Sequence, residues 1–141
     1  MKALYSTEVD AIGGRNGVVR SADGVLDLKL AVPTELGGKG GATNPEQLFA
    51  AGYAACFGNA VIHITRNKQH KIKDGDVDVA ATVGMKPNEG GGFALTVALD
   101  VTLAGVDQPT AEAIVADAHK TCPYSNATRG NIDVALTVRT R

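Results

Sequence analysis

Two cysteines, Cys56 and Cys122, are the residues of this chain best suited to covalent chemistry. Only the thiolate form attacks as a nucleophile, and an unperturbed cysteine holds few thiolates at neutral pH. A nearby arginine favours the thiolate, and a carboxylate can hold that arginine in place. Arg15, inside the glycine-rich turn GGRNG, and Glu46 are the candidates for these two roles. The chemistry indicated is a nucleophilic or redox reaction at a thiol.

Each of these residues also has an ordinary structural interpretation. Cys56 could pack as a small hydrophobe, and Cys122 could simply end a helix. Arg15 could be a solvated turn residue, and Glu46 an acid favoured by the positive end of a helix. A metal shared by His119, Cys122 and Cys56 is a further alternative, but neither Cys-x-x-Cys nor His-Glu-x-x-His occurs. We therefore expect no metal and no other cofactor.

Length and composition bound the class of protein. The chain has 141 residues, a formal net charge of -1 and no Trp, which fits one domain and gives no basic or aromatic surface for nucleic acid or an acidic membrane. The first ten residues, MKALYSTEVD, lack the apolar core of a signal peptide, so we expect a cytoplasmic protein. In that reducing compartment, a bond between the two cysteines would be catalytic or sensory rather than structural.

The segment Asn44–Ile64 predicts a long helix that carries Cys56. Asn44 can cap its first turn, and proline at the first helical position loses no hydrogen bond. From Leu48 onward nearly every residue is apolar or small, so the helix should be buried on all sides. The apolar run is shorter than the roughly 20 residues of a bilayer crossing and contains Asn59 and His63, which argues against a membrane span.

The remaining elements are predicted from hydrophobic periodicity and turn residues. The predicted strands are Ala3–Asp10, Val18–Arg20, Val25–Ala31, Asp76–Met85, Phe93–Leu103 and Ile132–Arg139. Asp23-Gly24 is a hairpin signal between the second and third strands. A second helix spans Pro109–Lys120 and ends before Cys122-Pro123. The glycine-rich loop Pro33–Thr43 lacks the Gly-Lys-Ser/Thr of a phosphate loop, so we interpret it as a connector.

Strands grouped in blocks favour an α+β fold with mainly antiparallel sheets and two main helices. Six short strands have little surface with which to surround an apolar helix, so a second copy should cover it and form a homodimer. A straight helix would put Glu46 about 15 Å from Cys56 along its axis. A direct cluster then needs a break near Gly52-Tyr53, Glu46 from the opposite subunit, or Arg15 reaching between the two, and the residues alone leave these open.

Two segments, NPEQLFAAGYAACF and HKTCPYSNATRGNIDV, closely resemble the paired signatures of the organic hydroperoxide resistance proteins, the peroxidase branch of the OsmC/Ohr superfamily. The resemblance extends through the GGRNG turn, the hairpin, the glycine loop and the last strand, which is nearly the whole chain. It implies one OsmC/Ohr-like domain over residues 1–141. It also implies an intertwined α+β homodimer, with the central helix buried and the active sites at the subunit interface.

The same resemblance implies a thiol peroxidase that reduces alkyl and fatty-acid hydroperoxides to alcohols. Cys56 matches the peroxidatic cysteine and Cys122 the resolving cysteine, while Arg15 matches the arginine that activates the thiolate and Glu46 the acid that positions it. The implied reductant is a lipoyl-type dithiol, carried on a protein, that reopens a Cys56–Cys122 disulfide.

Two points stay open at the level of sequence. The aromatic residues Phe49, Tyr53 and Phe57 could line an apolar substrate pocket or pack in the core. The competing function is that of a non-enzymatic dimeric thiol redox sensor or binding protein. No helix suited to reading DNA is visible in the sequence to serve as a sensor's output.

Overall fold

A computed structural model describes all 141 residues, which form two compact units, Met1–Leu48 and Phe49–Arg141. Each unit contains one three-stranded sheet. The helices and strands are β1 (Val9–Ile12), β2 (Val18–Ser21), β3 (Asp27–Lys29), α1 (Pro45–Thr65), β4 (Val77–Pro87), β5 (Phe93–Leu103), α2 (Gln108–Thr121), α3 (Pro123–Thr128) and β6 (Ala135–Thr140). The α+β class and the two main helices predicted from the sequence are confirmed.

The sheet of the first unit is a meander of β1, β2 and β3, with both neighbouring pairs antiparallel. The predicted hairpin is present: the Gly24 N–H donates to the Ser21 carbonyl at 2.9 Å, and Gly24 has φ of 76°. The first strand begins at Val9 and not at Ala3 as predicted, because Val9 pairs with Ser21, the last residue of β2. Residues 3–8 therefore lie beyond the end of their partner strand.

The sheet of the second unit has the order β4-β5-β6. β4 and β5 are antiparallel along their whole length, from Val77 opposite Leu103 to Pro87 opposite Phe93. β6 is parallel to β5, so the mainly antiparallel prediction holds with one exception. Parallel neighbours need a long crossover connection, which α2 and α3 provide.

Capping and proline positions fix the bounds of α2 and α3. The Asp107 side chain accepts from the Thr110 N–H at 2.9 Å and starts α2. Cys122 is extended, with φ of -61° and ψ of 124°, because Pro123 disfavours a helical residue before it. Pro123 then opens the short helix α3, which the sequence analysis did not predict.

The core of the second unit lies between α1, β5 and α2. Fully buried side chains include Tyr53, Phe57 and Val61 of α1, and Cys122 joins the same cluster. In a single chain α1 is not enclosed on every side, since an exposed stripe repeats every four residues and consists of Ala51, Ala55, Asn59 and His63. The prediction that α1 is buried on all sides is therefore not met within one chain, and its covering by a second copy stays a prediction.

The length and composition of α1 alone would let it cross a membrane. Those two properties are shared by core helices of soluble proteins, and α1 contributes Tyr53, Phe57, Ala60 and Val61 to a protein core. A helix of this kind is weak support for a membrane span.

Candidate active site

The turn that carries Arg15 is built from glycines. Gly13 and Gly14 have φ of 87° and 58°, in the left-handed region that favours glycine. At Gly17 a Cβ atom would lie 1.6 Å from the Ile12 carbonyl oxygen, so only glycine fits. The glycines thus fold GGRNG into a tight turn with Arg15 in its single 3₁₀ turn.

Arg15 binds Glu46 through both arms of its guanidinium group. Nη1 donates to Oε1 at 2.7 Å and Nη2 to Oε2 at 3.0 Å. The side chains are 35% and 16% exposed, so the pair is partly shielded from water. The Glu46 carboxylate raises the pKa of Arg15 above its ordinary value, chiefly through these hydrogen bonds. The predicted partnership of Arg15 with Glu46 is therefore formed within one chain.

Glu46 is held at the start of α1. Asn44 accepts from the Gln47 N–H through Oδ1 at 2.9 Å, as its predicted capping role requires, and its carbonyl accepts from the Leu48 N–H at 3.1 Å. The helix continues without interruption through Gly52 and Tyr53. The break near Gly52-Tyr53, one of the three arrangements left open by the sequence, does not occur.

Cys56 and Cys122 face each other as free thiols in the second unit. Their sulfur atoms are 3.6 Å apart, with the Cys122 thiol donating to Cys56 Sγ. Cys56 lies in the middle of α1 and is partly exposed, whereas Cys122, between α2 and α3, is completely buried. A disulfide has a separation of about 2.05 Å, so an oxidant could join the two sulfurs after a small approach.

The surroundings of Cys56 oppose ionisation. Burial is the largest effect and raises the pKa of the Cys56 thiol, and the nearby Cys122 thiol adds to it. The backbone N–H of Tyr124 acts in the other direction, because it donates to the sulfur and favours the thiolate. The net pKa is raised, so this thiol needs a positive charge to become a strong nucleophile at neutral pH.

Three aromatic side chains of α1 and α3 pack against one another. Phe49 contacts Tyr53 and Tyr124 with ring centroids 6.3 and 6.1 Å apart, and Tyr53 and Tyr124 are 5.7 Å apart. Gly52 leaves room for Tyr124, since a Cβ there would lie 2.7 Å from the tyrosine oxygen. Tyr53 and Phe57 are fully buried and pack in the core, which was one of their two predicted roles. Phe49 and Tyr124 remain partly exposed, and the Tyr124 N–H donates to Cys56 Sγ.

A buried polar network lies directly beyond Cys122. The Ser125 hydroxyl contacts the Tyr53 hydroxyl and His119 Nδ1, both at 2.8 Å. The Tyr53 hydroxyl also contacts Thr128 Oγ1 at 3.3 Å. Burial and the nearby Arg129 lower the pKa of His119, so its imidazole is neutral at pH 7. Sequence analysis missed this network, and the available signal was Pro123, which marks the start of the helix that carries Ser125 and Thr128.

The four predicted residues thus form two pairs, each within one unit: Arg15 with Glu46, and Cys56 with Cys122. No group of three histidine, cysteine or acidic side chains is arranged to hold a metal ion. His119 Nδ1 contacts the Ser125 hydroxyl at 2.8 Å. Two neighbouring thiols can be oxidised to a disulfide and reduced again, and the cysteine pair is suited to this reaction.

Comparison with known proteins identifies the family. The pattern of the family described as OsmC-like protein matches residues 38–137. An organic hydroperoxide resistance protein of Xanthomonas axonopodis pv. citri is 49% identical over 138 residues, which are 97% of this chain and 96% of that protein. Organic hydroperoxide resistance protein OhrB of Bacillus subtilis is 44% identical, with 97% of this chain and 99% of that protein covered.

A solved structure agrees with these sequence relatives. The crystal structure of an organic hydroperoxide resistance protein from Legionella pneumophila is 54% identical and has a TM-score of 0.93, covering 98% of this chain and 99% of that chain. Because the family pattern covers most of the chain and the relatives align over nearly all of it, this protein belongs to the OsmC/Ohr family, in its organic hydroperoxide resistance branch.

Proposed function

We propose that the protein is a cysteine peroxidase that reduces organic hydroperoxides to alcohols, with Cys56 as the nucleophile and Cys122 as the resolving thiol. The observation that carries this proposal is the free thiol pair, 3.6 Å apart, with one partly exposed and one buried member. The exposed member can meet a substrate, and the buried member can meet only its partner. Membership of a family with curated organic hydroperoxide resistance proteins supports the choice of substrate.

The reaction proceeds in three balanced steps. The Cys56 thiolate attacks the terminal oxygen of the hydroperoxide, the O–O bond breaks, and the alkoxide takes up a proton and leaves as the alcohol. Cys56 is now a sulfenic acid, which condenses with the Cys122 thiol to form a disulfide and water. A dithiol then reduces the disulfide by exchange and is itself oxidised to a cyclic disulfide.

Exposure determines which sulfur the reductant attacks. Cys122 is fully buried, so an external thiolate meets the sulfur of Cys56, and Cys122 departs as the leaving thiol. A dithiol suits this geometry because its second thiol can attack the mixed disulfide with Cys56 intramolecularly and release the Cys56 thiol. The family resemblance, and not the geometry, indicates that this dithiol is of the lipoyl type and is borne on a protein. Because both thiols must be regenerated, we place the protein in a reducing compartment, the cytoplasm.

From the match to the family signature, we assign to Arg15 the positive charge that favours the Cys56 thiolate, and to Glu46 the role of holding the guanidinium in position. The two-pronged contact at 2.7 and 3.0 Å supports a positioning role for Glu46, since such a pairing fixes the plane of the guanidinium. Both residues also match their counterparts in the family signature. A positive charge at the thiol would oppose the effect of burial, which raises the pKa of Cys56.

Arg15→Ala should slow peroxide reduction and shift its pH dependence. An adjacent cation lowers the pKa of an acidic group by about one to three units, so its loss should reduce the neutral-pH rate about 10- to 1000-fold. The thiolate fraction recovers as pH rises, so variant and wild type should converge at alkaline pH. Rates of peroxide reaction and of alkylation of Cys56, measured from pH 5 to 10, report both effects.

Arg15→Lys is the matched control, because it keeps the charge and loses the planar fork. We expect it to recover part of the rate. Arg20→Ala removes an exposed arginine that binds Asp27 and should leave the profile unchanged. Identical pH profiles for wild type and Arg15→Ala would remove Arg15 from the mechanism.

The protein acts as a homodimer in which the second copy covers exposed apolar surface. The first unit exposes Leu4, Tyr5, Ile12 and Val25 at 66% or more of their surface, which is unusual for a stable monomer. The exposed α1 stripe, in which two alanines stand beside Asn59 and His63, is a second surface that the partner can cover. Light scattering coupled to size exclusion should therefore give twice the mass of 14.5 kDa, whereas a monomer at micromolar concentration would contradict the proposal.

Steady-state consumption of hydroperoxide with a dihydrolipoyl reductant tests the function. We expect rapid turnover of a long-chain alkyl hydroperoxide and slower turnover of hydrogen peroxide, since Tyr124, whose N–H contacts Cys56, packs its ring against Phe49 and offers an apolar surface to the substrate. If Cys56 were oxidised once and no dithiol reduced it again, the protein would be better described as a redox sensor.

A further inference from the structure

Four side chains beyond Cys122, which we call the Ser125 network, have no part in the three chemical steps. Three are buried, namely Tyr53 and Ser125, both 0% exposed, and Thr128, 4% exposed, and the fourth, His119, is half-buried. Buried hydroxyl and imidazole groups are costly unless they are fully paired, and every member here is paired. Such a network rigidifies the elements that it joins.

The number of available protons determines which group donates in each hydrogen bond of the network. Thr128 donates to the Ser125 carbonyl at 3.1 Å, so its oxygen is left to accept from Tyr53. Tyr53 has one proton, which means that Ser125 donates to Tyr53 and accepts from His119 Nδ1–H. In the opposite direction the Tyr53–Thr128 contact would have no proton. The neutral imidazole is therefore protonated at Nδ1, and all four groups are satisfied in one chain of donors.

The network ties α3 to both long helices. Ser125 lies on α3, Tyr53 on α1 and His119 on α2, so one hydroxyl joins three elements. Cys122 lies three residues before Ser125, and its carbonyl accepts from the Asn126 N–H at 3.0 Å. The position of α3 against α1 consequently determines how far the Cys122 sulfur lies from Cys56.

We propose that Ser125 is a positioning residue for the resolving step, which holds Cys122 Sγ within reach of Cys56 through its contacts with Tyr53 and His119. The proposal rests on the proposed peroxidase function. In this step the Cys122 thiol attacks the Cys56 sulfenic acid, an S–S bond forms, the S–O bond breaks, and the thiol proton leaves with the hydroxide as water. A separation of 3.6 Å is close to the about 3–3.5 Å of a reactive arrangement.

Misplaced Cys122 would expose Cys56 to a competing reaction. A second hydroperoxide can oxidise the sulfenic acid to the sulfinic acid, with release of a second alcohol, and this product is not recovered by dithiols. The ratio of sulfinic acid to disulfide therefore reports how fast Cys122 reacts with the sulfenic acid relative to a second hydroperoxide. Loss of the Ser125 hydroxyl should leave the first oxidation unchanged and slow the second step.

Ser125→Ala is the principal test. We expect the rate constant for the first reaction with an alkyl hydroperoxide to stay within about twofold of wild type, because Ser125 does not contact the substrate. Disulfide formation should slow at least about tenfold, since misplacement by about 1 Å can cost a hundredfold. Quenched-flow samples trapped with a dione for sulfenic acid and resolved by mass spectrometry give both constants. The sulfinic fraction should rise with hydroperoxide concentration more steeply than in wild type.

Two further variants separate positioning from stability. Tyr53→Phe removes one hydroxyl of the network with little change of volume and should raise the sulfinic fraction in the same direction. Thr65→Val removes another buried hydroxyl, which donates to the Val61 carbonyl at 2.9 Å at the far end of α1, and should leave the fraction unchanged.

The outcomes distinguish this proposal from the function on which it rests. If wild-type Cys56 does not react with hydroperoxides, the peroxidase function is wrong. If wild type reacts and both Ser125→Ala and Tyr53→Phe form the disulfide at the wild-type rate, Ser125 is not a positioning residue. A rise in sulfinic acid that Thr65→Val reproduces would also overturn the proposal.

Discussion

Cys56→Ser should lose all hydroperoxide reduction above the uncatalysed rate. A serine hydroxyl is almost wholly protonated at neutral pH and has no base beside it, so neither attack on the O–O bond nor sulfenic acid formation can occur. We expect the rate of consumption with a dihydrolipoyl reductant to fall at least about a thousandfold. The measurement is the initial rate at saturating reductant, with the fold checked by circular dichroism.

The matched control for this variant is Ala116→Ser, which puts the same hydroxyl at an exposed position of α2. It should retain wild-type turnover, because residue 116 lies outside both the thiol pair and the exposed stripe of α1. Turnover of Cys56→Ser at even a tenth of the wild-type rate would mean that Cys56 is not the nucleophile.

Cys122→Ser should consume about one equivalent of hydroperoxide and then stop. Its Cys56 thiol is still present and can be oxidised, but no second thiol lies 3.6 Å away to form the disulfide. Intramolecular partners in good orientation act at effective concentrations up to about 10⁵–10⁸ M, far above any external dithiol. We expect steady-state turnover to fall at least about a hundredfold, with a normal first oxidation seen by stopped flow.

The stalled variant should also accumulate sulfinic acid at Cys56 when excess hydroperoxide is present. Thr121→Ser, which changes the residue preceding Cys122 but keeps a hydroxyl for the Asp117 carbonyl, is its control and should behave as wild type. Multiple turnovers by Cys122→Ser at the wild-type rate would contradict a resolving role for Cys122.

Sequence patterns predicted the parts of this fold that depend on local chemistry. The cap at Asn44, the Asp23-Gly24 hairpin, and the end of α2 before Pro123 all follow from neighbouring residues, and each is present. The first strand was misplaced because Ala3–Asp10 was interpreted as an alternating segment, yet β2 ends at Ser21 and offers residues 3–8 no strand partner. Strand pairing is a tertiary property that alternation does not report.

The site was predictable by residue type and not by geometry. Arg15 and Glu46 were paired on chemical grounds, and the structure joins them through two hydrogen bonds. Ser125 and His119 carry no spacing signal, because their meeting depends on how α3 packs against α1 and α2. The raised pKa of Cys56 is caused mainly by burial. A run of apolar residues predicts that the helix is buried, but it does not predict how deeply one sulfur atom is buried.

The most direct test of the account is a single-turnover experiment on the reduced protein. One equivalent of an alkyl hydroperoxide is added, remaining thiols are alkylated, and the protein is digested without reductant for mass spectrometry. The account predicts one equivalent of alcohol and a peptide pair linked between Cys56 and Cys122, lighter by two hydrogens than the sum of its parts, which dihydrolipoyl reductant separates. Recovery of both cysteines as alkylated thiols, with the hydroperoxide unchanged, would contradict it.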